Sequence, residues 1–158
     1  MIAIIAARSK NNVIGKDGKI PWDIPGEKRQ FRELTIGNIV IMGRRTFEEC
    51  GILPGRDMII VSETKSFEGE HITTVHNLQE ALAAAEGRNV YVCGGSQLYR
   101  EALEIADRIY LTEVDLIIED GDSFFPEFDQ SGYNSELLEI SETSVKYARY
   151  LYKRRVHK

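Results

Sequence analysis

The sequence predicts an α/β fold: a mostly parallel sheet covered by helices on both faces, with an antiparallel pair at one edge. Three observations predict it. Short, unbroken apolar runs recur at 2–7 (IAIIAA), 39–42 (IVIM), 58–62 (MIIVS) and 89–93 (NVYVC), as expected of strands buried on both faces. Segments of helical length separate them. The last two segments, near 136–143 and 147–156, alternate instead and read as an antiparallel pair.

In order, the first strand at 2–7 is followed by a loop punctuated by Gly15 and Gly18 and ended by Pro21 and the single tryptophan, Trp22. Pro25 is placed to open a helix over about 25–35, because its missing N–H would be unpaired in a first turn anyway. Gly37 is a plausible stop. The strand at 39–42 runs into Gly43-Arg44-Arg45-Thr46 and a short helix to about Cys50. A turn at 52–56, a third strand at 58–62 and a shorter fourth at 72–75 follow. Asn77 with Glu80 three residues later resembles a capping box, opening a helix that Gly87 closes. The strand at 89–93 leads through Gly94-Gly95-Ser96 into a helix at 97–106, then a sixth strand at 108–114. Residues 115–135 read as an acidic loop.

The bulk numbers narrow the function. A chain of 158 residues with 42% hydrophobic residues is sized for one domain with a real core. A net charge of −5 argues against gripping a phosphate backbone, which requires a basic stripe. The basic cluster Lys153, Arg154 and Arg155 reads as a solvated strand end. No apolar run approaches a membrane span, and the N-terminal segment has the wrong length and charge order for a signal peptide. Cys50 and Cys93 form neither a disulfide framework nor a metal spacing, which suits a reducing cytoplasm. His71, His76 and His157 share no ligand spacing, so no metal site is expected.

Chemistry gathers at a few positions. Glu27, Phe31 and Leu34 share one helical stripe, so a carboxylate sits on a face that should turn inward. It could equally be a first-turn acid favouring the helix dipole, with its tip in water. Burial would raise its pKa and let it donate a proton nearer neutral pH. Two glycine-led junctions, Gly43 with Arg44 and Arg45, and Gly94-Gly95-Ser96, follow buried strands. Both therefore lie at the carboxyl ends of the sheet, where such folds bind ligands, and together they could clamp a pyrophosphate. Each could also be an ordinary turn with solvated arginines. Neither GxGxxG nor GxxxxGK[ST] is present. Arg56 could grip a carboxylate bidentately or cap its turn, and Thr112 could hydrogen-bond a neighbour such as Glu27.

Taken together, VIGKDGKIPW, Glu27 with Phe31, IVIMGRRTFE, LPGR, VCGGSQLY, YLTEVD and GDSFFPEF, in this order and spacing, resemble the bacterial dihydrofolate reductases over nearly the whole chain. The resemblance implies a single three-layer domain over 1–158 with a central mixed, mostly parallel, eight-stranded sheet flanked by helices. It also implies NADPH as cofactor, dihydrofolate as substrate, antifolate inhibitors as further ligands, and a monomer. The reaction implied is hydride transfer to pterin carbon 6 with protonation at nitrogen 5. Glu27 matches the sole ionisable group at the pterin, supported by Thr112, with Trp22 helping to hold a water beside it. Tyr99 matches the ring near the reacting carbons. Ile5, Ala6, Phe31, Leu53 and Cys93 match the apolar walls, Arg56 the clamp on the folate tail, and Lys28 a contact to that tail's outer carboxylate. Ala7 and Ile14 match nicotinamide contacts. Gly43, Arg44, Arg45 and Thr46, with Gly94, Gly95, Ser96, Gln97 and Leu98, match the pyrophosphate clamp, and the Gly94–Gly95 bond is expected to be cis. Val61, Ser62, Glu63 and His76 fall on the adenosine side. The loop from Gly15 to Ile20 would close over nicotinamide, latched by Gly121-Asp122.

The chain departs from the pattern at Glu63, where a serine or arginine often meets the 2′-phosphate of NADPH. A carboxylate beside a phosphate costs energy, whereas beside a free ribose diol it accepts hydrogen bonds. His76 stands where a lysine assists that phosphate. Two other readings remain open from the sequence: a related pterin or pyrimidine reductase of the same fold, and a non-catalytic nucleotide-binding module.

Overall fold

The structure, a computed structural model, describes residues 1–142 and 144–155. Ten strands and four α-helices follow one another: β1 (Ile2–Ser9), β2 (Val13–Gly15), α1 (Glu27–Thr35), β3 (Ile39–Gly43), α2 (Arg44–Cys50), β4 (Asp57–Val61), β5 (Ile72–Val75), α3 (Leu78–Ala85), β6 (Val90–Val92), α4 (Ser96–Ala102), β7 (Arg108–Val114), β8 (Ser123–Phe124), β9 (Tyr133–Ser141) and β10 (Tyr147–Arg154). Eight strands form one sheet in the order β5-β4-β3-β6-β1-β7-β10-β9. The six from β5 to β7 run parallel, and β10 is antiparallel to both its neighbours. The expected eight-stranded mixed sheet with an antiparallel edge is therefore present. The predicted strand ends at Thr143 and Val156, together with His157, lie outside the described residues. Among the described residues no helix is long and apolar enough to cross a membrane.

The unbroken apolar runs are explained by two cores, one on each sheet face. In β3, Ile39 and Ile41 join the large core under α3 and α4, while Val40 and Met42 point the other way into a second core with Phe31 and Phe47. Alternate side chains of one strand thus leave water on opposite faces, so no polar alternation is written into it.

Several local expectations are corrected. Helix α1 begins at Glu27, not Pro25: Gly26 precedes it at φ 85°, a left-handed turn that a glycine takes without strain and that separates Pro25 from the first helical turn. Helix α4 ends at Ala102 rather than 106. The reason is Arg154, whose Nε donates to the Ala106 carbonyl at 2.7 Å and whose Nη2 donates to Leu103 at 2.6 Å. Its guanidinium also lies 5.1 Å from the Tyr133 ring, so this member of the basic cluster is a structural staple, not a solvated charge. The segment 115–135 is not all loop. It contains β8, which pairs with β2 as a separate two-stranded sheet, and a 3-10 turn at Gln130–Gly132. Short partners of two or three residues carry too little pattern to be seen in sequence. At α3 the Asn77 side chain accepts from Glu80 N at 2.8 Å as expected, and the Glu80 carboxylate reaches back chiefly to His76 N, with a weaker contact to the N–H of the cap residue Asn77.

Replacing Arg154 with methionine keeps the stem's packing and leaves two carbonyls without their charged donor. The expected loss is about 2 kcal/mol of stability, measured as a lower midpoint in thermal or urea unfolding.

Candidate active site

A cleft of about 1720 Å³ opens at the carboxyl ends of the parallel strands. That is larger than a single drug-sized pocket, and its two ends differ in chemistry.

The acid end is built by α1, β1 and β7. Glu27 stands in the first turn of α1 and Phe31 one turn on, with Ile5 and Ala6 from β1, Leu53 before β4 and Cys93 after β6 completing an apolar lining. Burial raises the Glu27 pKa above its ordinary 4.5; Trp22 pulls it back down, nearby Asp23 pushes it up, and Arg149 opposes that. The indole Nε1 of Trp22 is buried beside the acid, near enough to lower its pKa as a donor though short of full hydrogen-bond geometry. Thr112 lines the same cleft but makes no hydrogen bond to Glu27, contrary to the direct pairing the sequence suggested. Tyr99 is 5% exposed, and its hydroxyl donates to the Ile5 carbonyl at 2.8 Å. Burial pushes that phenol well above its usual range, so it is a fixed neutral wall. Burial likewise raises the Cys93 thiol, which behaves as a small hydrophobe.

Arg56 closes the outer side of this end. It is 8% exposed; Nε donates to Pro54 O at 3.1 Å and Nη1 to Thr35 Oγ1 at 3.2 Å. The Thr35 hydroxyl passes its proton to Phe31 O at 2.8 Å, so turn and helix hold one edge of the guanidinium. The remaining Nη2 donor has no partner among the described residues, and the Phe31 ring lies 6.0 Å from the guanidinium carbon. Of the two sequence readings of Arg56, the structure shows the turn contact, and it leaves one edge of the guanidinium facing the cleft. Lys28 borders the cleft and is exposed.

The other end is backbone-rich. β3 and β6 are parallel neighbours, so their glycine junctions meet, and Gly43 N donates to Gly94 O at 2.9 Å. The Gly94–Gly95 bond is cis. A side chain at Gly94, whose φ is 121°, would come within 3.2 Å of Thr46 Oγ1, so this cradle requires glycine. Neither α2 nor α4 has a side-chain cap at its N-terminus, which leaves backbone donors available. Ser96, Gln97 and Leu98 start α4 in this cradle. Arg44 is paired with Glu48 at 2.9 Å, which also attracts Lys65 at 3.6 Å; Arg45 is exposed with no such pair. Ser62, at the end of β4 beyond Val61, is tied into its own turn by accepting from Lys65 N. Glu63 is exposed and unpaired among the described residues, turned to solvent rather than bound to Arg44 or Arg45. His76 is held by Glu80 through its backbone N–H and ring.

Between the two ends lie Ala7, Ile14 and the segment from Gly15 to Ile20, with Ile20 59% exposed. The expected latch is present: Asp122 N donates to Gly15 O at 3.1 Å, and Asp122 Oδ2 accepts from Asp17 N at 2.9 Å. Gly121 packs so closely on Val13 that a Cβ would sit 2.5 Å from it.

The sequence reading missed Arg149, Gln30 and Glu139 at the acid end. Arg149 stands directly opposite Thr112 across β10 and β7. Only the register of three strands brings it to the cleft; the period-2 pattern of β10 was the one usable signal.

A sequence model of the dihydrofolate reductase family matches residues 1–154. The chain is 43% identical over 135 residues to the dihydrofolate reductase type 3 of Salmonella typhimurium, covering 84% of this chain and 83% of that one. It is 40% identical over 148 residues to the dihydrofolate reductase of Bacillus subtilis, covering 92% and 86%. The solved dihydrofolate reductase from Enterococcus faecalis, complexed with NADP(H) and RAB-propyl, superposes with a TM-score of 0.86 at 32% identity, covering 99% of this chain and 97% of that one. The cleft geometry and these likenesses agree: this chain belongs to the dihydrofolate reductase family.

Proposed function

We propose that the cleft binds dihydrofolate and NADPH side by side, the pterin at Glu27 and the nicotinamide against Ala7, Ile14 and Tyr99. The chain is an NADPH-dependent oxidoreductase that reduces 7,8-dihydrofolate to 5,6,7,8-tetrahydrofolate, the carrier for one-carbon transfers. The observation that carries the residue roles is a half-buried carboxylate in a largely apolar slot, its pKa raised by burial, with the buried indole N–H of Trp22 beside it.

The residues fit the cofactor. The glycine cradle admits a close backbone approach, uncapped helix starts and Arg45 supply donors and positive charge for a pyrophosphate, and Val61, Ser62, Glu63 and His76 border the adenosine side. When bound, NADPH supplies the hydride that reaches carbon 6; the proton that balances the reaction goes to nitrogen 5.

The protein's part is positioning and proton supply. Ionised Glu27 accepts hydrogen bonds from the pterin's 2-amino group and nitrogen 3, which orients the ring. The Trp22 N–H donates to a water beside the acid, and Thr112 adds a polar contact on the β7 side. Ile5, Ala6, Phe31, Leu53 and Cys93 exclude other water. Desolvation of the carboxylate raises its proton affinity and hence the basicity of what it contacts. Arg56 offers its free donor to the α-carboxylate of the tail, with Lys28 further out. The segment from Gly15 to Ile20 covers the nicotinamide, held by Asp122. One chain completes every wall of the cleft, which supports a monomer and a single domain over 1–158. The free thiols of Cys50 and Cys93 suit a cytoplasmic location, and antifolate diaminopyrimidines should compete for Glu27.

Three outcomes test this reading. Dihydrofolate added to protein and NADPH should consume the nicotinamide absorbance, and Glu27→Gln should lower turnover at neutral pH by about 10²-fold or more; wild-type turnover in that variant removes Glu27 from the mechanism. The same variant tests burial through stability. Because the folded-state pKa is raised, the fold favours the protonated acid, and the penalty of the ionised form appears as pH climbs through 4.5 toward the folded value. Glu27→Gln should therefore melt higher than wild type at neutral pH and lose that advantage below the ordinary carboxylate range. Finally, with Glu63 unpaired and Arg44 shared with Glu48, NADPH should be preferred over NADH by a margin in kcat/KM that widens in Glu63→Ser. An unchanged ratio excludes Glu63 from cofactor choice.

A further inference from the structure

The acid end contains a charged group that the reaction described above does not use. Arg149 lies in β10 opposite Thr112 of β7 on one side and Glu139 of β9 on the other. Directly opposed residues of neighbouring strands share a sheet face, so Thr112, Arg149 and Glu139 form a row leading away from the acid. The Arg149 side chain is 17% exposed and its Nη1 lies 3.2 Å from Glu139 Oε2. No other hydrogen bond of this guanidinium exists among the described residues, and it borders the cleft with Glu27.

Glu139 is itself closely held. Its Oε2 also accepts from Gln30 Nε2 at 2.6 Å, and its Oε1 accepts from the Tyr147 hydroxyl at 3.1 Å. Gln30 stands three residues after Glu27 in α1, so the same face of the helix that presents the acid is tied to the β9–β10 hairpin. A carboxylate with three donors from two elements, α1 and β10, has little freedom to turn, and through it neither has Arg149.

We propose that Arg149, held by Glu139, is a positioning residue for Glu27: from the sheet side it contributes a fixed positive charge to the electrostatic balance around the acid. A positive charge near a desolvated carboxylate favours its ionised form, and a negative partner behind that charge weakens the effect. Of the other groups around Glu27, one opposes Arg149 and acts more strongly than it, so the pair modulates the acid and does not govern it alone. From the preceding loop come Trp22, a neutral donor, and Asp23, which acts in the opposite direction to Arg149. Lys28 and Arg32 on α1 and Lys19 on the closing loop border the cleft but are exposed, where water screens them. β1 contributes only Ile5, Ala6 and Ala7, β7 contributes neutral Thr112, and β10 adds Tyr150 beside Arg149.

The proposal rests on Glu27 as the pterin acid for its catalytic meaning, but its physical content is measurable without substrate. Carboxyl ¹³C NMR of the free, full-length protein, with the Glu27 signal identified by its loss in Glu27→Gln, follows the titration directly. Arg149→Met should move the midpoint to higher pH and Glu139→Gln to lower pH, each changing the protonated-to-ionised ratio at fixed pH by about threefold; Arg149→Lys should restore the wild-type midpoint. The inflection of single-turnover hydride transfer against pH should move in the same order. Coincident midpoints in all variants overturn the proposal, as does failure of Arg149→Lys to restore, which would assign the effect to packing. Should Arg149→Met not fold, the downward shift in Glu139→Gln decides alone. Wild-type turnover in Glu27→Gln would overturn the catalytic reading without altering the midpoints, so the two failures are distinguishable.

Discussion

A carboxylate has to be kept from water without being neutralised by a direct ion pair, and the structure around the cleft is arranged to meet that demand. An unpaired buried acid is costly, and here the cost is borne by rigid surroundings. Helix α1 is held to the sheet by the Phe31 side of the second core and by Gln30 on Glu139. Among the described residues Arg149 makes its salt bridge to Glu139 and none to Glu27. A direct salt bridge would have left the acid permanently ionised and occupied. Distance and partial exposure leave it available to a ligand.

The opposite end follows different rules. Its walls are peptide groups and glycines, and its charges are largely balanced within the protein: Arg44 and Lys65 with Glu48, His76 with Glu80. Among the described residues Arg45, Glu49, Glu63 and Glu101 line the cleft outside such pairs. The grip on a cofactor therefore comes mainly from shape and oriented backbone donors, with side-chain charge adjusting which phosphate pattern fits.

Much of this was legible in the sequence. The buried strands were readable because both faces are dry, and the second glycine junction because the positive φ and close approach at Gly94 demand that residue. Glu27, Phe31 and Arg56 were readable as a set because their order matches a known pattern. What could not be read depends on register. Arg149 and Glu139 become neighbours of the acid only once β7, β10 and β9 are aligned, including the shift between Arg149 and Tyr150. The start of α1 was misplaced because Pro25 is a good first-turn residue by propensity, while the φ of Gly26 overrides it. Arg154 was misread because a basic strand end looks the same in sequence whether it meets water or the carbonyls of Leu103 and Ala106.

The bond from Gly43 to Gly94 has one further implication. These residues are the rims of two strands whose adjacent positions, Met42 and Cys93, wall the other half of the cleft. A guest that immobilises one rim therefore steadies both, and with them a surface on which the second guest must settle. The ordering entropy is then lost once rather than twice, so each guest favours the other by the same coupling free energy whichever arrives first.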